Sequence, residues 1–159
     1  MSDMTDLEKL RQWVLSYPEW EGALYLDHTD AAPGNGGLYP LGLEELSRRE
    51  DVLGNRQVRC RYRFCLYRVT AGQGDKTGQA QWLLDLQQWI QQQCVTGNAP
   101  RFGDVPEQER IRAEKGKLRQ VCQTGTGVYE VILTVDLVKY FEGGTENGED
   151  REKVSGTLY

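Results

Sequence analysis

The sequence predicts an α+β fold, a mostly antiparallel sheet of four to five strands with two helices packed on one of its faces. Two segments repeat apolar residues at the spacing of a helix face, others alternate apolar and polar residues as strands do, and tight turns join the longer strands. The chain has 159 residues, of which 38% are hydrophobic, enough for one core. We expect a single α+β domain over residues 1–141 and an acidic, flexible C-terminal tail over 142–159.

A first helix is expected near the N-terminus. Asp6 is a candidate N-cap, because its carboxylate can accept a hydrogen bond from a free backbone N–H of the first turn. Pro18 ends the helix, since proline cannot continue the hydrogen-bond ladder. The apolar positions on one face are Leu7, Leu10, Val14 and Tyr17, with Trp13 alongside. This face is expected to lie on the sheet.

A short strand and a loop are expected next. Leu24 and Leu26 alternate with more polar neighbours, which predicts a strand over residues 23–28. Residues 30–37 read DAAPGNGG, a composition that permits unusual backbone angles and contains nothing to bury. We predict a mobile surface loop there, serving as a lid or an arm.

A long hairpin is expected in the middle of the chain. Residues 41–52 suit a short helix as well as an exposed strand. We favour the strand, because Leu53-Gly54-Asn55 resembles a hairpin turn that leads into the next segment. That segment, residues 56–70, alternates more clearly than any other. Its two faces carry Val58, Cys60, Tyr62, Phe64 and Leu66 on one side, and Arg59, Arg61 and Arg63 on the other.

A second helix is expected to begin at Asp75 or Thr77 and to reach about Val95, before Gly97 and Asn98. Its apolar side consists of Trp82, Leu83, Leu86, Trp89 and Ile90. This pattern predicts that the helix packs along its length against the sheet.

The C-terminal part of the domain is expected to be a second hairpin. After a polar loop, residues 111–124 and 128–140 alternate as strands, joined by a tight turn at residues 125–127. One face of the last strand carries no charge and consists of Tyr129, Val131, Leu133, Val135 and Leu137. We expect this face to lie against the helices.

Composition excludes several classes of protein. The net charge of −5 argues against a protein that coats nucleic acid over its whole surface. No apolar run approaches the roughly 18 residues of a membrane helix, and no signal stretch opens the chain, so we expect a soluble, unsecreted protein. Reduced thiols are expected, without a metal site or cofactor, because the cysteines lack CxxC spacing. They are Cys60, Cys65, Cys94 and Cys122.

The sequence offers little for catalysis. His28 is the only histidine, and no motif places a thiol beside it, so a structural or solvent-exposed histidine is the simpler interpretation. The glycine-rich stretches GNGG and GQGDKTG lack the spacing of a phosphate-binding loop. We therefore expect no enzyme, and a small enzyme built around His28 and a cysteine is the weakest hypothesis.

Two polar features are candidate interaction surfaces. Arg59, Arg61 and Arg63 would stand about 7 Å apart on the sheet face away from the helices. Three interpretations stay open: a solvated face paired with acids of the adjacent strand, a subunit interface, and a nucleic-acid-binding face. The candidate acids are Glu44, Glu45 and Glu50.

The second feature is the glutamine-rich flank of the second helix, where Asp85 is the only charge. Glutamine is desolvated at lower cost than lysine or glutamate, which favours a subunit contact, although good helix propensity explains the choice nearly as well. The candidate contact residues are Gln87, Gln88 and Gln91.

The order of elements, together with three motifs, resembles a known family. The motifs are the RCRYRF run from Arg59 to Phe64, the helix segment WLLDLQQWI closed by GNAP at residues 97–100, and the final strand from Tyr129 to Tyr140. Over most of residues 7–141, the chain resembles small minor capsid or tail-terminator (head-tail joining) proteins of tailed phages and prophages of Gram-positive bacteria.

The resemblance implies a subunit that forms a homo-oligomeric ring, commonly hexameric, at the head-tail junction and ends tail-tube growth. Its implied partners are tail-tube and head-completion proteins, with DNA only in transit through the ring lumen and no membrane. Its implied location is the virion, and the host bacterial cytoplasm during assembly. The alternative hypothesis is a nucleic-acid-binding module that uses the arginine face.

Overall fold

One five-stranded sheet forms the centre of the computed structural model, which describes residues 4–26, 32–71, 76–121 and 126–143. The elements are α1 (Asp6–Leu15), β1 (Leu24–Leu26), β2 (Gly36–Glu50), β3 (Arg56–Ala71), α2 (Lys76–Thr96), a 3-10 turn (Pro106–Gln108), β4 (Arg110–Val121) and β5 (Thr126–Phe141).

The strand order is β1-β2-β3-β5-β4. The β2–β3, β3–β5 and β4–β5 pairs are antiparallel, whereas β1 runs parallel to β2. The predicted α+β fold, with a mostly antiparallel sheet and two helices on one face, is confirmed. The order places the long β3–β5 pair in the middle and puts β2 and β4 on opposite sides of it.

The core lies between the helices and one face of the central strands. The uncharged β5 face predicted from the sequence is buried, each of its five side chains being at most 5% exposed. Directly across on β3, Phe64 and Leu66 share the same face. Helices α1 and α2 cover it together, and the rings of Trp13 and Trp89 stack with centroids 4.9 Å apart. The apolar face of the alternating strands and the apolar faces of the two helices thus form one apolar layer.

The cap of α1 differs from the prediction by one residue. The N-cap is Thr5, whose Oγ1 accepts a hydrogen bond from the backbone N–H of Glu8 at 3.1 Å. Asp6 is the first helical residue instead, and its carboxylate accepts a hydrogen bond from the Tyr62 hydroxyl at 2.9 Å. The Asp6 side chain, which the sequence pattern predicted as the cap, therefore makes a tertiary contact with Tyr62 instead.

The glycines at the end of the predicted mobile loop are a second correction. Gly36 and Gly37 are buried and begin β2, where they pair with β1 on one side and β3 on the other. A Cβ at Gly36 would overlap the Tyr67 carbonyl oxygen and the Trp20 ring, so the close packing itself requires glycine. Residues 27–31, which include His28, lie outside the described part of the chain.

The segment that suited both helix and strand is a strand as far as Glu50, which confirms the favoured interpretation. The turn closes where it was predicted: the Asp51 N–H donates to the Asn55 carbonyl at 2.9 Å, and Gly54 has a φ of +86°. Register shifts interrupt the β2–β3 pairing at Leu41 and Leu46. We call residues 41–57 of this hairpin the arm.

The C-terminal elements also follow the prediction closely. Helix α2 ends at Thr96, followed by Gly97 with a φ of +79°. Thr126 and Gly127 of the expected turn already belong to β5, while residues 122–125 lie outside the described ranges. So do residues 144–159, most of the predicted tail. Its first part is held on the arm, because the Gly143 N–H donates to the Asn55 side-chain oxygen at 2.8 Å.

Candidate functional site

Exposed apolar side chains are concentrated at one end of the sheet. In the described ranges ten large apolar side chains are exposed, and seven of these lie on the arm or at the adjoining end of β5. They are Leu41, Leu43, Leu46, Val52, Leu53, Tyr140 and Phe141. Val52, in the arm turn, is fully exposed at 101%. Such a concentration is typical of an interaction surface, whereas single exposed apolar residues are ordinary.

The arm also carries a shallow apolar cavity. Leu43 and Phe141 are half exposed at its rim, and Val58 and Cys60 lie buried beneath them. The cavity has a volume of about 380 Å³ and includes charged side chains such as Lys139. The arm therefore presents side chains that a partner could cover. It is supported by the pairing of β2 with β3, which itself pairs with β5.

A second apolar surface lies in a groove between α2 and β4, which we call the α2–β4 groove. Its volume is about 550 Å³. Leu84 and Val95 of α2 line it while being 50% and 80% exposed. Ile111 and Ala113 of β4 form the opposite wall. The groove is large enough to receive several side chains of a partner.

The predicted glutamines divide between two roles at this groove. The Gln87 side-chain amide donates to the Ala113 carbonyl at 2.6 Å, which ties α2 to the last strand of the sheet. Gln88 and Gln91 are exposed and line the groove. Gln87 therefore contributes to the fold of the chain, and the other two are placed where a partner could contact them.

Both sides of the sheet carry features that discourage pairing with a foreign strand. On β4, α2 supplies Gln87 to one backbone carbonyl and brings the Cys94 sulfur to 3.9 Å from another. On β2, Pro40 and the register shifts at Leu41 and Leu46 interrupt the ladder. Proline and bulges are common protections of exposed strands. Neither strand is therefore well suited to pairing with a strand of another molecule.

The arginine row lies on one face of β3, as predicted. The Arg61 Nε donates to Asp136 Oδ1 at 2.7 Å and Nη2 donates to Oδ2 at 3.3 Å. The Arg63 Nη2 lies 3.8 Å from Glu44 Oε1. Arg59 is exposed and has no ion pair within the parts of the chain that the structure describes. Two of the three arginines therefore have carboxylate partners.

The other candidate acids pair elsewhere. Glu45 pairs with Arg48 at 2.8 Å, and Glu50 lies 3.5 Å from Arg56. The acid that holds Arg61 most closely, Asp136 of β5, was not among the candidates. It belongs to the strand on the other side of β3, and no pattern of residues indicated that β5 would lie there.

Asp136 is the electrostatic centre of this face. Arg112 of β4 reaches it from the side opposite Arg61, with Nη1 at 3.1 Å from Oδ2. Burial raises the pKa of Asp136, but the hydrogen bonds and charges of the two arginines outweigh this effect and lower the pKa overall. The centre of the face is thus a compensated charge cluster rather than an uninterrupted row of positive charge.

The enzyme hypothesis depends on His28, which lies outside the described residues, as does Cys122. Cys60 and Cys65 are buried and Cys94 is half-buried. Burial raises the pKa of the Cys60 thiol, so the thiolate is disfavoured. Within the described ranges, no group of three or more His, Cys, Asp or Glu side chains could hold a metal ion.

Comparisons with protein-family models, curated proteins and solved structures give no match to this chain. Among the described helices, none is long and apolar enough to cross a membrane. The features that bear on function are therefore the arm, the α2–β4 groove and the compensated charges of the outer sheet face.

Proposed function

We propose that the protein is a structural subunit that assembles head-to-tail into a closed ring, with the arm of one copy docked in the α2–β4 groove of the next. The sequence resemblance gives the ring its proposed place, the head-tail junction of a tailed phage, where it ends tail-tube growth. The protein then has no catalytic role. Its partners are its own copies, tail-tube and head-completion proteins, and DNA in transit through the lumen.

The observation that carries the proposal is the presence of two different exposed apolar surfaces on opposite sides of one sheet. The arm is built on β2 and β3, and the groove lies beside β4. A contact between two unlike surfaces is heterologous, so each bound copy leaves one surface of each kind free for another copy. Such a contact closes into a ring when the rotation that relates one copy to the next is a full turn divided by a whole number.

The chemistry of the two surfaces is complementary. The groove lining includes Arg110 and no acidic side chain, together with Arg112, whose charge Asp136 already compensates. The arm carries four acidic side chains, Glu44, Glu45, Glu50 and Asp51, against the three arginines Arg48, Arg49 and Arg56. Apolar contact supplies most of the free energy in such an interface, and opposite charges at the rim favour the correct orientation.

The nucleic-acid-binding alternative has less support. Sequence-independent binding depends on arginines that are free to neutralise phosphates. Here Arg61 is held by Asp136, and Arg63 lies close to Glu44. A face with compensated charges suits DNA that passes without being clamped, which agrees with the proposed position in a ring.

Size-exclusion chromatography with light scattering, run at increasing protein concentration, tests the proposal. We expect the measured mass to rise from the 18.1 kDa of one chain to a single whole-number multiple of that mass, the mass of the closed ring. Val52→Lys in the arm and Val95→Lys in the groove each introduce a charge at an exposed apolar position, and each should keep the protein from forming the ring. Met4→Lys, at a 48% exposed position outside both surfaces, is the control and should assemble normally.

Two results would contradict the proposal. One is a wild-type protein that stays monomeric throughout the concentration range. The other is normal assembly of either lysine variant, which would show that the surface it alters is not used.

A further inference from the structure

A cluster of buried polar atoms lies beneath the helices, away from both assembly surfaces. Among the described residues, five buried side-chain nitrogen or oxygen atoms lack a hydrogen-bond partner. They are Tyr17 Oη, Trp20 Nε1, Arg68 Nη1, Thr70 Oγ1 and Trp82 Nε1. Buried polar groups in folded proteins are nearly always paired, so five such atoms in one region require a physical explanation.

Three of these side chains, Tyr17, Trp20 and the cation Arg68, lie against the ring of the fourth, Trp82. The guanidinium carbon of Arg68 lies 4.3 Å from the centroid of the Trp82 ring. The same ring meets Tyr17 at 6.4 Å, Trp20 at 6.2 Å and Tyr129 at 6.2 Å between centroids. Thr70 follows Arg68 by two residues on β3, so both side chains point to the same face of the sheet.

Arg68 has no acidic partner at this place. Across the described chain, no carboxylate lies within 4.0 Å of its guanidinium. Burial lowers the pKa of Arg68, and the more distant charge of Glu21 only partly opposes this effect. Arg68 is half-buried, and the Trp82 ring replaces only part of the solvation that water gave its guanidinium, so the lack of a carboxylate partner is costly.

The chemistry of the five atoms defines the kind of ligand. The guanidinium and the two indole nitrogens can only donate hydrogen bonds, and the two hydroxyls can donate as well. A positive charge surrounded by donors matches an oxyanion. The surrounding aromatic rings favour a singly charged carboxylate over a phosphate dianion, because removing the dianion from water costs more.

We propose that Arg68, together with Trp20, Trp82, Tyr17 and Thr70, forms a binding site for one carboxylate group. The carboxylate belongs either to a small free acid or to an Asp or Glu side chain of a neighbouring molecule. The site is independent of the proposed ring contact, since none of its residues lines the arm cavity or the α2–β4 groove.

Thermal unfolding of the full chain in sodium acetate, compared with sodium chloride at equal ionic strength, tests the site. At an acetate concentration ten times the dissociation constant, we expect the midpoint to rise by roughly 3–6 °C, and to keep rising with the logarithm of the acetate concentration above it. Tryptophan emission should change over the same concentration range, because two indole rings border the site.

Three variants separate the site from a general effect of acetate. Arg68→Met removes the charge, and Trp82→Phe keeps an aromatic ring while removing one donor. Both should lose or weaken the response, and the second remains informative if the first does not fold. Arg59→Met removes an exposed arginine from the other sheet face and should keep the full response.

The source of the carboxylate is distinguished by a second probe, a tetraglutamate peptide with blocked termini. If acetate and the peptide both act, the site accepts a carboxylate side chain; if only acetate acts, it accepts a small free acid. If acetate has no effect on the wild type, or acts equally on Arg68→Met, the proposal is wrong and the cluster does not bind carboxylates.

Discussion

Asp136 organises the outer face of the sheet at the scale of single residues. It lies between Arg61 of β3 and Arg112 of β4, and its side chain is only 19% exposed. Because the carboxylate joins side chains from three strands, it also holds the register of β5 against both neighbours. An arginine row that suggested a binding face in the sequence is therefore partly a structural feature of the subunit.

Removing this carboxylate should destabilise the fold in a pH-dependent way. We expect Asp136→Asn to lower the free energy of unfolding by about 1–2 kcal/mol at neutral pH, because two partly buried arginines lose their partner. The pKa of Asp136 is lowered from 3.8 in the folded protein. Its contribution is therefore complete above pH 3.8 and is lost as the pH falls through the lower folded value.

Urea unfolding of the wild type and the variant between about pH 3 and pH 7 measures this effect. The difference between the two proteins should shrink only at the acidic end. Glu44→Gln is the matched control, because it alters an exposed pair at 3.8 Å and should cost less than about 0.5 kcal/mol. A difference that stays constant with pH would show that ionisation of Asp136 does not contribute.

The arm is the most distinctive element of the structure. Its turn is well formed, because Asp51 Oδ1 accepts hydrogen bonds from the N–H groups of Leu53 and Asn55, both at 2.9 Å. Residues 41–53, from the β2 strand into the turn, are all exposed, so little of this segment is buried in the core. Segments with few buried contacts open locally at low cost in free energy.

Amide hydrogen exchange should therefore separate the arm from the central strands. In dilute protein, we expect amides of residues 42–50 to exchange much faster than those of residues 131–137, which belong to the buried β5 strand. At concentrations where the ring forms, protection of the arm should rise, because its side chains and backbone become covered. Val52→Lys at the same concentration is the control and should show no gain.

Equal protection of the arm and β5 in dilute protein would contradict this description of the arm. An unchanged exchange rate in the assembled wild type would show that the arm stays uncovered there.

Long, strongly periodic elements were predictable from the sequence. The bounds predicted for β3 and for the end of α2 agree with the structure within one residue, because many alternating or helically spaced positions define them. The parallel β1–β2 pair was not predicted, since β1 has only three residues and pairs with glycines that carry no pattern. The sequence alone does not distinguish a glycine that close packing requires from a glycine in a loop.

The candidate sites were predictable only where one element contains them. The face shared by Arg59, Arg61 and Arg63 follows from alternation within a single strand. The α2–β4 groove depends on which strand ends beside the helix, and the Arg68 cluster unites side chains from widely separated segments. The exposed leucines of the arm did carry a signal, because apolar residues in a charged strand lacked an evident covering element.

At the scale of the whole molecule, the two apolar surfaces are unlike and lie beside different strands of the sheet. The arm projects from one side of the central β3–β5 pair, and the groove lies on the other. A symmetric dimer would use the same surface twice, whereas two unlike surfaces produce a chain of subunits that closes when the geometry allows. The head-to-tail contact between arm and groove is thus the central claim about this protein.

Mixing two variants tests that claim most directly. Val52→Lys keeps its groove but has a damaged arm, and Val95→Lys keeps its arm but has a damaged groove; both carry lysine, so the damaged surfaces repel each other. Light scattering should show that each variant alone is monomeric and that an equimolar mixture forms heterodimers, joined by the one intact arm and the one intact groove. A mixture that stays monomeric, or a groove variant that assembles alone, would contradict the head-to-tail contact.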